Sequence, residues 1–173
     1  MRELADSNRI ERFMRELGRV VEVEGRVYLT GGATAVLYGW RATTIDVDIK
    51  LIPDRDEILR EIPRLKEKLD LNIELAAPSD FIPLPPGWED RSPLIGREGK
   101  LSFHHFDPVA QALSKVERGH SQDVQDVREM IANGLVDPEE ALSQFESIEP
   151  DLYRFPAIDP GSFRKAVIAL FST

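Results

Sequence analysis

Between Val27 and Ile52 the chain reads VYLTGGATAVLYGWRATTIDVDIKLI, and this stretch narrows the available folds more than any other. A short apolar run, Val27, Tyr28 and Leu29, ends in Thr30 and a glycine pair, Gly31 and Gly32. A helix-like segment follows, Ala33 to Tyr38, closed by Gly39. After the loop Trp40 to Thr44 comes a second run, Ile45 to Ile49, that carries Asp46 and Asp48. β-Branched enrichment at both ends with glycine punctuation between predicts strand, turn, helix, loop, strand. In the second strand Ile45, Val47 and Ile49 share one face, and Asp46 and Asp48 share the other.

Two carboxylates on one strand face lie roughly 6–7 Å apart at their Cα atoms, close enough for their oxygens to converge on one divalent cation. Without a cation they repel; a hard ion such as Mg²⁺ (or Mn²⁺) relieves that repulsion and takes oxygen ligands. Gly31 and Gly32 leave the backbone bare where a helix begins, so N–H groups and the positive dipole end face an anion. A metal site facing a phosphate site is the layout that nucleotidyl transfer requires. Each half has a plainer reading, a solvated sheet face for the aspartates and an ordinary turn for the glycines. Their order and the thirteen residues between Gly32 and Asp46 favour the joint reading.

This combination resembles the signature of the DNA polymerase β-like nucleotidyltransferase superfamily, in which Gly-Gly or Gly-Ser precedes an Asp-hydrophobic-Asp strand at about this distance. The lead-in Arg41-x-Thr43-x-x-Asp46-x-Asp48 is similar to that of small bacterial nucleotidyltransferases related to abortive-infection and toxin–antitoxin enzymes. The resemblance covers about residues 26–133. It implies a nucleoside triphosphate donor bound through Thr30, Gly31, Gly32 and Arg41, with Asp46 and Asp48 as catalytic metal ligands. It also implies a third carboxylate on a neighbouring strand, for which Glu74 is the best placed and Asp80 the second candidate. The segment Ser114-Lys115-x-x-Arg118 followed by Asp123-x-x-Asp126 is similar to the family's lysine and aspartate segment. There the lysine contacts the triphosphate and the aspartate orients it or supports the metal site, which assigns Lys115 a catalytic and substrate-binding role and Asp123 a substrate-binding one. The bland alternative is a snorkelling lysine and a surface pair of acids.

The rest of the chain supplies a frame. Ser7 to Val23 is an amphipathic helix capped by Asp6 or Ser7. A helix is expected from Asp54 to Leu69, and a strand over Leu71 to Leu75 with Glu74 opposite Leu71, Ile73 and Leu75. The proline-rich stretch from Ala77 to Pro93 reads as a loop that packs down through Phe81, Ile82, Leu84 and Trp88. A hairpin follows, Leu94 to Arg97 and Lys100 to Phe106, turning at Glu98 and Gly99. His104 and His105 are neighbours on a strand, so they face opposite ways and do not chelate together. Helices then run from Asp107-Pro108 to Arg118, from Ser121 to Asn133, from Asp137-Pro138 to about Glu146, and from Asp159-Pro160 to Phe171. In the second of these, Val124, Val127 and Ile131 form the expected buried stripe, with Asp123 at its edge and Asp126 further round.

The expected fold is α+β: a mixed sheet of about five strands flanked by helices, with a C-terminal helical extension. The divisions are an N-terminal helix over 1–25, a nucleotidyltransferase-like core over 26–133, and the extension over 134–173, within one compact domain. No segment reads as a signal peptide or a membrane span. The lack of cysteine excludes thiolate chemistry and fits a reducing cytoplasm. A net charge of −9 excludes a general nucleic-acid coat protein, so an RNA substrate needs a local basic surface. The expected function is metal-dependent nucleotidyl transfer from a nucleoside triphosphate to an RNA (such as tRNA), protein or small-molecule acceptor. The alternative is a catalytically inactive binding module of the same fold, one half of a toxin–antitoxin pair.

Overall fold

The structure is a computed structural model that describes residues 2–172. It is α+β, with a five-stranded mixed sheet, flanking helices and a helical C-terminal region. Contacts divide the chain into two compact units, residues 1–77 with 92–106 and residues 78–91 with 107–173.

The first unit holds the sheet. Its strands are β1 (Gly25–Thr30), β2 (Asp46–Ile52), β3 (Asn72–Leu75), β4 (Leu94–Glu98) and β5 (Leu101–His105), in the order β3-β2-β1-β5-β4. β1 runs antiparallel to β2 and parallel to β5, β2 runs parallel to β3, and β4 runs antiparallel to β5. Strict alternation fixes what each face carries. Val27, Leu29, Val47, Ile49, Leu51, Ile73, Leu101 and Phe103 point into one core. There they meet α1 (Ser7–Val20), α2 (Gly32–Tyr38) and α4 (Glu61–Leu69) through Ile10, Phe13, Leu17, Ala33, Leu65 and Leu69. The opposite face carries Arg26, Tyr28, Thr30, Asp48, Lys50, Asn72, Glu74, Ser102 and His104, as the cross-strand register requires.

Several boundaries differ from expectation. α1 stops at Val20 because Val21 turns extended, and its N-cap is Asp6, whose carboxylate accepts from the Arg9 N–H. β2 runs on to Ile52. The helix expected from Asp54 to Leu69 is two pieces, α3 (Asp56–Leu59) and α4, with Arg60 at the join. Leu75 shares its strand face with Ile73 but is exposed, because it ends an edge strand beyond the covering helices.

The second unit is helical. It comprises a 3-10 turn over Pro78–Asp80, then α5 (Pro108–Arg118), α6 (Ser121–Ala132), α7 (Pro138–Ile148), a 3-10 stretch Glu149–Arg154, and α8 (Pro160–Phe171). α5 is the central element, packed on α6, α7 and α8. Asp107 caps it, accepting from the Val109 N–H at 3.0 Å. The same fully buried carboxylate takes Arg91 Nη2 at 2.8 Å, so Arg91 ties the proline-rich loop to the start of α5. Phe145 and Phe163 meet edge to face at 4.9 Å between α7 and α8.

α6 departs most from the sequence-based pattern. Its buried residues are Asp123, Asp126, Val127 and Met130, while Val124 and Ile131 are only partly covered. Two carboxylates enter the stripe because α5 sends cations to meet them. Lys115 Nζ lies 2.9 Å from Asp126 and 3.8 Å from Asp123, and Arg118 forks onto Asp123. Lys115 is therefore a buried ion-pair member and does not snorkel.

Candidate active site

The site elements of the first unit are the end of β1, the turn into α2, and the start of β2. Thr30 stands directly across from Asp48 in the β1–β2 ladder, so the glycine turn and the aspartates meet at one end of the sheet. Asp46 and Asp48 are both half-buried and share the face opposite the core. Gly31 sits at φ 66°, in the left-handed region that favours glycine. A side-chain carbon built there would lie 3.2 Å from Asp48 Oδ2, so the carboxylate rests against the bare backbone. At Gly32 a Cβ would overlap Thr44 Oγ1 and come within 3.3 Å of Arg41 Nη1. The guanidinium of Arg41 is thus beside the glycine turn.

Thr44 and Asn72 fix Asp46. The N-terminal segment pins Thr44 through paired backbone bonds, Ala5 N–H to Thr44 O at 2.8 Å and Thr44 N–H to Ala5 O at 2.9 Å. Thr44 Oγ1 donates to the Asp46 carbonyl at 3.2 Å, and Asn72 Nδ2 donates to Asp46 Oδ1. Asn72 was not anticipated as a site residue. The signal was present, because it shares the alternation of Glu74 one step along β3.

Glu74 pairs in register with Asp48 on the neighbouring parallel strand, so it projects from the same face and is exposed. Adjacent strands are about 4.8 Å apart. Among the described residues, no three His, Cys, Asp or Glu side chains are gathered closely enough to hold a metal ion by themselves. Two carboxylates still suit Mg²⁺, which commonly takes one or two protein carboxylates and completes its shell with water and substrate phosphate oxygens. Hard oxygen donors on one face, beside a glycine turn and an arginine, fit that chemistry. Asp80, Lys115 and Asp123 belong to the second unit. Burial would raise the Asp123 carboxyl, but the Arg118 hydrogen bonds and charge outweigh it and hold the acid below its ordinary range.

The two histidines occupy opposite faces, as expected. His104 stacks on Tyr28 at 5.2 Å, and its Nε2 is 3.1 Å from Ser102 Oγ. His105 points into the core, its Nδ1 3.1 Å from Thr34 Oγ1 and its ring 4.5 Å from that of Tyr38. Burial pushes the His105 imidazole down from 6.5 to about 4. Between those values the unfolded chain binds a proton that the folded chain does not. The stabilising difference is therefore full above pH 6.5 and is lost as pH falls towards 4. It amounts to roughly 3–4 kcal/mol at about 1.4 kcal/mol per pH unit. His105→Asn, which keeps a hydrogen-bonding atom for Thr34, is expected to flatten the pH dependence of unfolding free energy between pH 4 and 6.5. Parallel profiles for the two proteins in urea titrations would show that His105 carries no such linkage.

The chain belongs to the family described as nucleotidyltransferase of unknown function (DUF6036), which it matches over residues 8–146. That span takes in all five strands and both carboxylates of β2. No curated protein and no solved structure matches the chain. Family membership supports a nucleotide substrate. No helix among the described residues is long and apolar enough to cross a membrane.

Proposed function

We propose that the protein transfers a nucleotidyl group from a nucleoside triphosphate to an acceptor hydroxyl, using a divalent cation held by Asp46 and Asp48. One observation carries the reading: Asp46 and Asp48 share a half-buried face, with Asp48 against the Gly31 turn. When bound, Mg²⁺ or Mn²⁺ supplies Lewis-acid stabilisation of charge on the phosphate oxygens and lowers the pKa of the attacking hydroxyl.

The chain's own residues do the rest. Asp46 and Asp48 neutralise the cation, and Asn72 and Thr44 keep Asp46 oriented. Glu74, in register with Asp48, is the side chain available to complete the oxygen set. Thr30, Gly31 and Gly32 offer backbone to the phosphates, and Arg41 adds positive charge as pyrophosphate develops. The acceptor oxygen forms its bond to the α-phosphorus while the bond to the β-phosphate oxygen breaks. The acceptor's proton passes to solvent or to an aspartate oxygen, and pyrophosphate departs with the electron pair. Lys115 and Asp123 we assign to the α5–α6 ion-pair network, as their burial supports.

A second reading, a nucleotide-binding module without turnover and part of a toxin–antitoxin pair, draws on the lack of a gathered third carboxylate among the described residues. Purified protein is to be incubated with each nucleoside triphosphate labelled at the α-phosphate, with Mg²⁺ or Mn²⁺, and with total RNA or protein extract. Metal-dependent label on a macromolecule or small acceptor is the expected result. A nucleotide-induced rise in melting temperature without transfer selects the binding module. Neither transfer nor a shift removes both readings.

A further inference from the structure

The far ends of β1 and β2 form a second feature unlike the aspartate site. A cleft of about 580 Å³ opens where β1 begins, β2 ends and the β4–β5 hairpin turns. Arg26, Arg55, Arg97 and Lys100 line it, with Glu24 the one carboxylate among the described lining residues, and Ser102 offers a hydroxyl. Four cations against one acid is a local reversal on a chain whose net charge is −9.

The register explains why they gather. Arg26 pairs with Ser102 in the β1–β5 ladder, and Ser102 pairs with Arg97 in the β5–β4 ladder. Paired residues project from the same face, so Arg26, Ser102 and Arg97 stand in a row across three strands. Lys100 follows in the hairpin turn, and Arg55 comes from the segment after β2. Arg26 is braced, its Nη1 donating to Tyr28 Oη at 2.9 Å and its guanidinium 5.8 Å from the Tyr28 ring centroid. Arg55 meets Glu57 at 3.7 Å. Among the described residues, no carboxylate lies within ion-pair distance of Arg97 or Lys100, and both are exposed. Like charges set side by side repel unless an anion joins them.

The field reaches His104, two residues along β5. Its imidazole is held below the ordinary histidine range, first by burial and then by the charges of Arg26 and Arg97. The cleft and the aspartates are separate sites. Thr30, opposite Asp48, is four residues along β1 from Arg26, about 13 Å at strand spacing. Between them Tyr28 is 1% exposed, so the stretch of β1 that separates the two is covered.

We infer that this cleft is a phosphate-binding site, distinct from the aspartate site, that takes a polyphosphate or phosphodiester chain through Arg26, Arg55, Arg97 and Lys100. It goes beyond the transfer reaction proposed above and does not depend on it. Forked guanidinium groups suit phosphate oxygens, and a row of cations suits a chain of phosphates more than a single one.

Binding is measured without divalent cation, to silence the aspartate site, using inorganic tripolyphosphate and a short single-stranded RNA as probes. Wild type, Arg97→Ala with Lys100→Ala, and Asp46→Asn with Asp48→Asn are compared, each checked for a single cooperative unfolding transition no lower than that of wild type. The Arg97/Lys100 variant is expected to lose at least about tenfold in affinity. If RNA is the ligand, its log affinity should depend less steeply on log salt, by about 1.4 for two lost phosphate contacts. The aspartate variant should bind as wild type or better. Tripolyphosphate binding alone identifies a small polyphosphate ligand; RNA binding alone identifies a phosphodiester chain. Binding of neither probe, or equal binding by wild type and the Arg97/Lys100 variant, overturns the inference. No arm relies on transfer activity, so its outcome stands apart from that of the labelling assay.

Discussion

Replacing Asp46 and Asp48 together by asparagine is expected to remove metal-dependent transfer, with turnover falling by at least about a thousandfold. The size follows from what the pair does. Asp46 and Asp48 are the anionic groups on the face of β2 opposite the core, and without them only Glu74 on β3 is left there to balance a divalent charge beside the triphosphate. The fold should survive, because an asparagine oxygen at position 46 still accepts from Asn72. Without metal the variant should melt slightly higher, since two like charges on one strand face have been neutralised. With Mg²⁺ and nucleotide the order reverses, because only wild type gains from ligand binding. Identical melting of both proteins, with and without Mg²⁺ plus nucleotide, would remove the site. Glu74→Gln, tested alone, decides the third ligand: a metal requirement moved to higher concentration assigns Glu74 to the set.

The second large effect lies away from the aspartates. Lys115→Met should destabilise the protein by about 3–5 kcal/mol, since it withdraws the cation beside a fully buried carboxylate. For a chain of this size that corresponds to a fall in melting temperature of roughly 6–20 °C. Gln122 also donates to Asp126, at 3.2 Å, but a neutral amide does not offset a buried negative charge. Adding Asp126→Leu to Lys115→Met should recover most of the loss, because both charges then leave together. Asp123 retains Arg118 in either variant. Should Lys115→Met melt like wild type yet lose transfer activity, the lysine serves the substrate and the structural assignment is wrong.

The α6 helix also shows where the sequence stopped being legible. Periodicity located the helix, and its apolar residues set the expected stripe on Val124, Val127 and Ile131. The buried side instead runs through Asp123, Asp126, Val127 and Met130. A pattern that scores only apolar residues cannot see carboxylates buried by cations from another helix, because the compensation is tertiary. The strands were easier. Alternation placed Asp46 and Asp48 together and His104 and His105 apart, since a period of two leaves no other arrangement. Asn72 could have been added by the same rule, but its partner Asp46 depends on which strand lies beside β3. Likewise, the Arg26–Ser102–Arg97 row joins residues far apart in the chain, and only the strand order brings them side by side.

That strand order bears on how the protein is made. β1 is the middle strand, yet one of its neighbours is encoded far downstream: Gly25 pairs with Leu101. During synthesis from the N-terminus, α1 and the β1–β2–β3 portion emerge while one side of β1 still has open N–H and C=O groups. The proline-rich stretch 78–91, which joins the other unit, must be laid down before the closing hairpin arrives. A ribosome stalled in that stretch would therefore leave a nascent chain with a central strand exposed as an edge, which is the geometry that recruits a wrong strand from a neighbour. The late hairpin acts as the clasp of the sheet, and the protein's vulnerable moment is the time it takes to translate the residues in between.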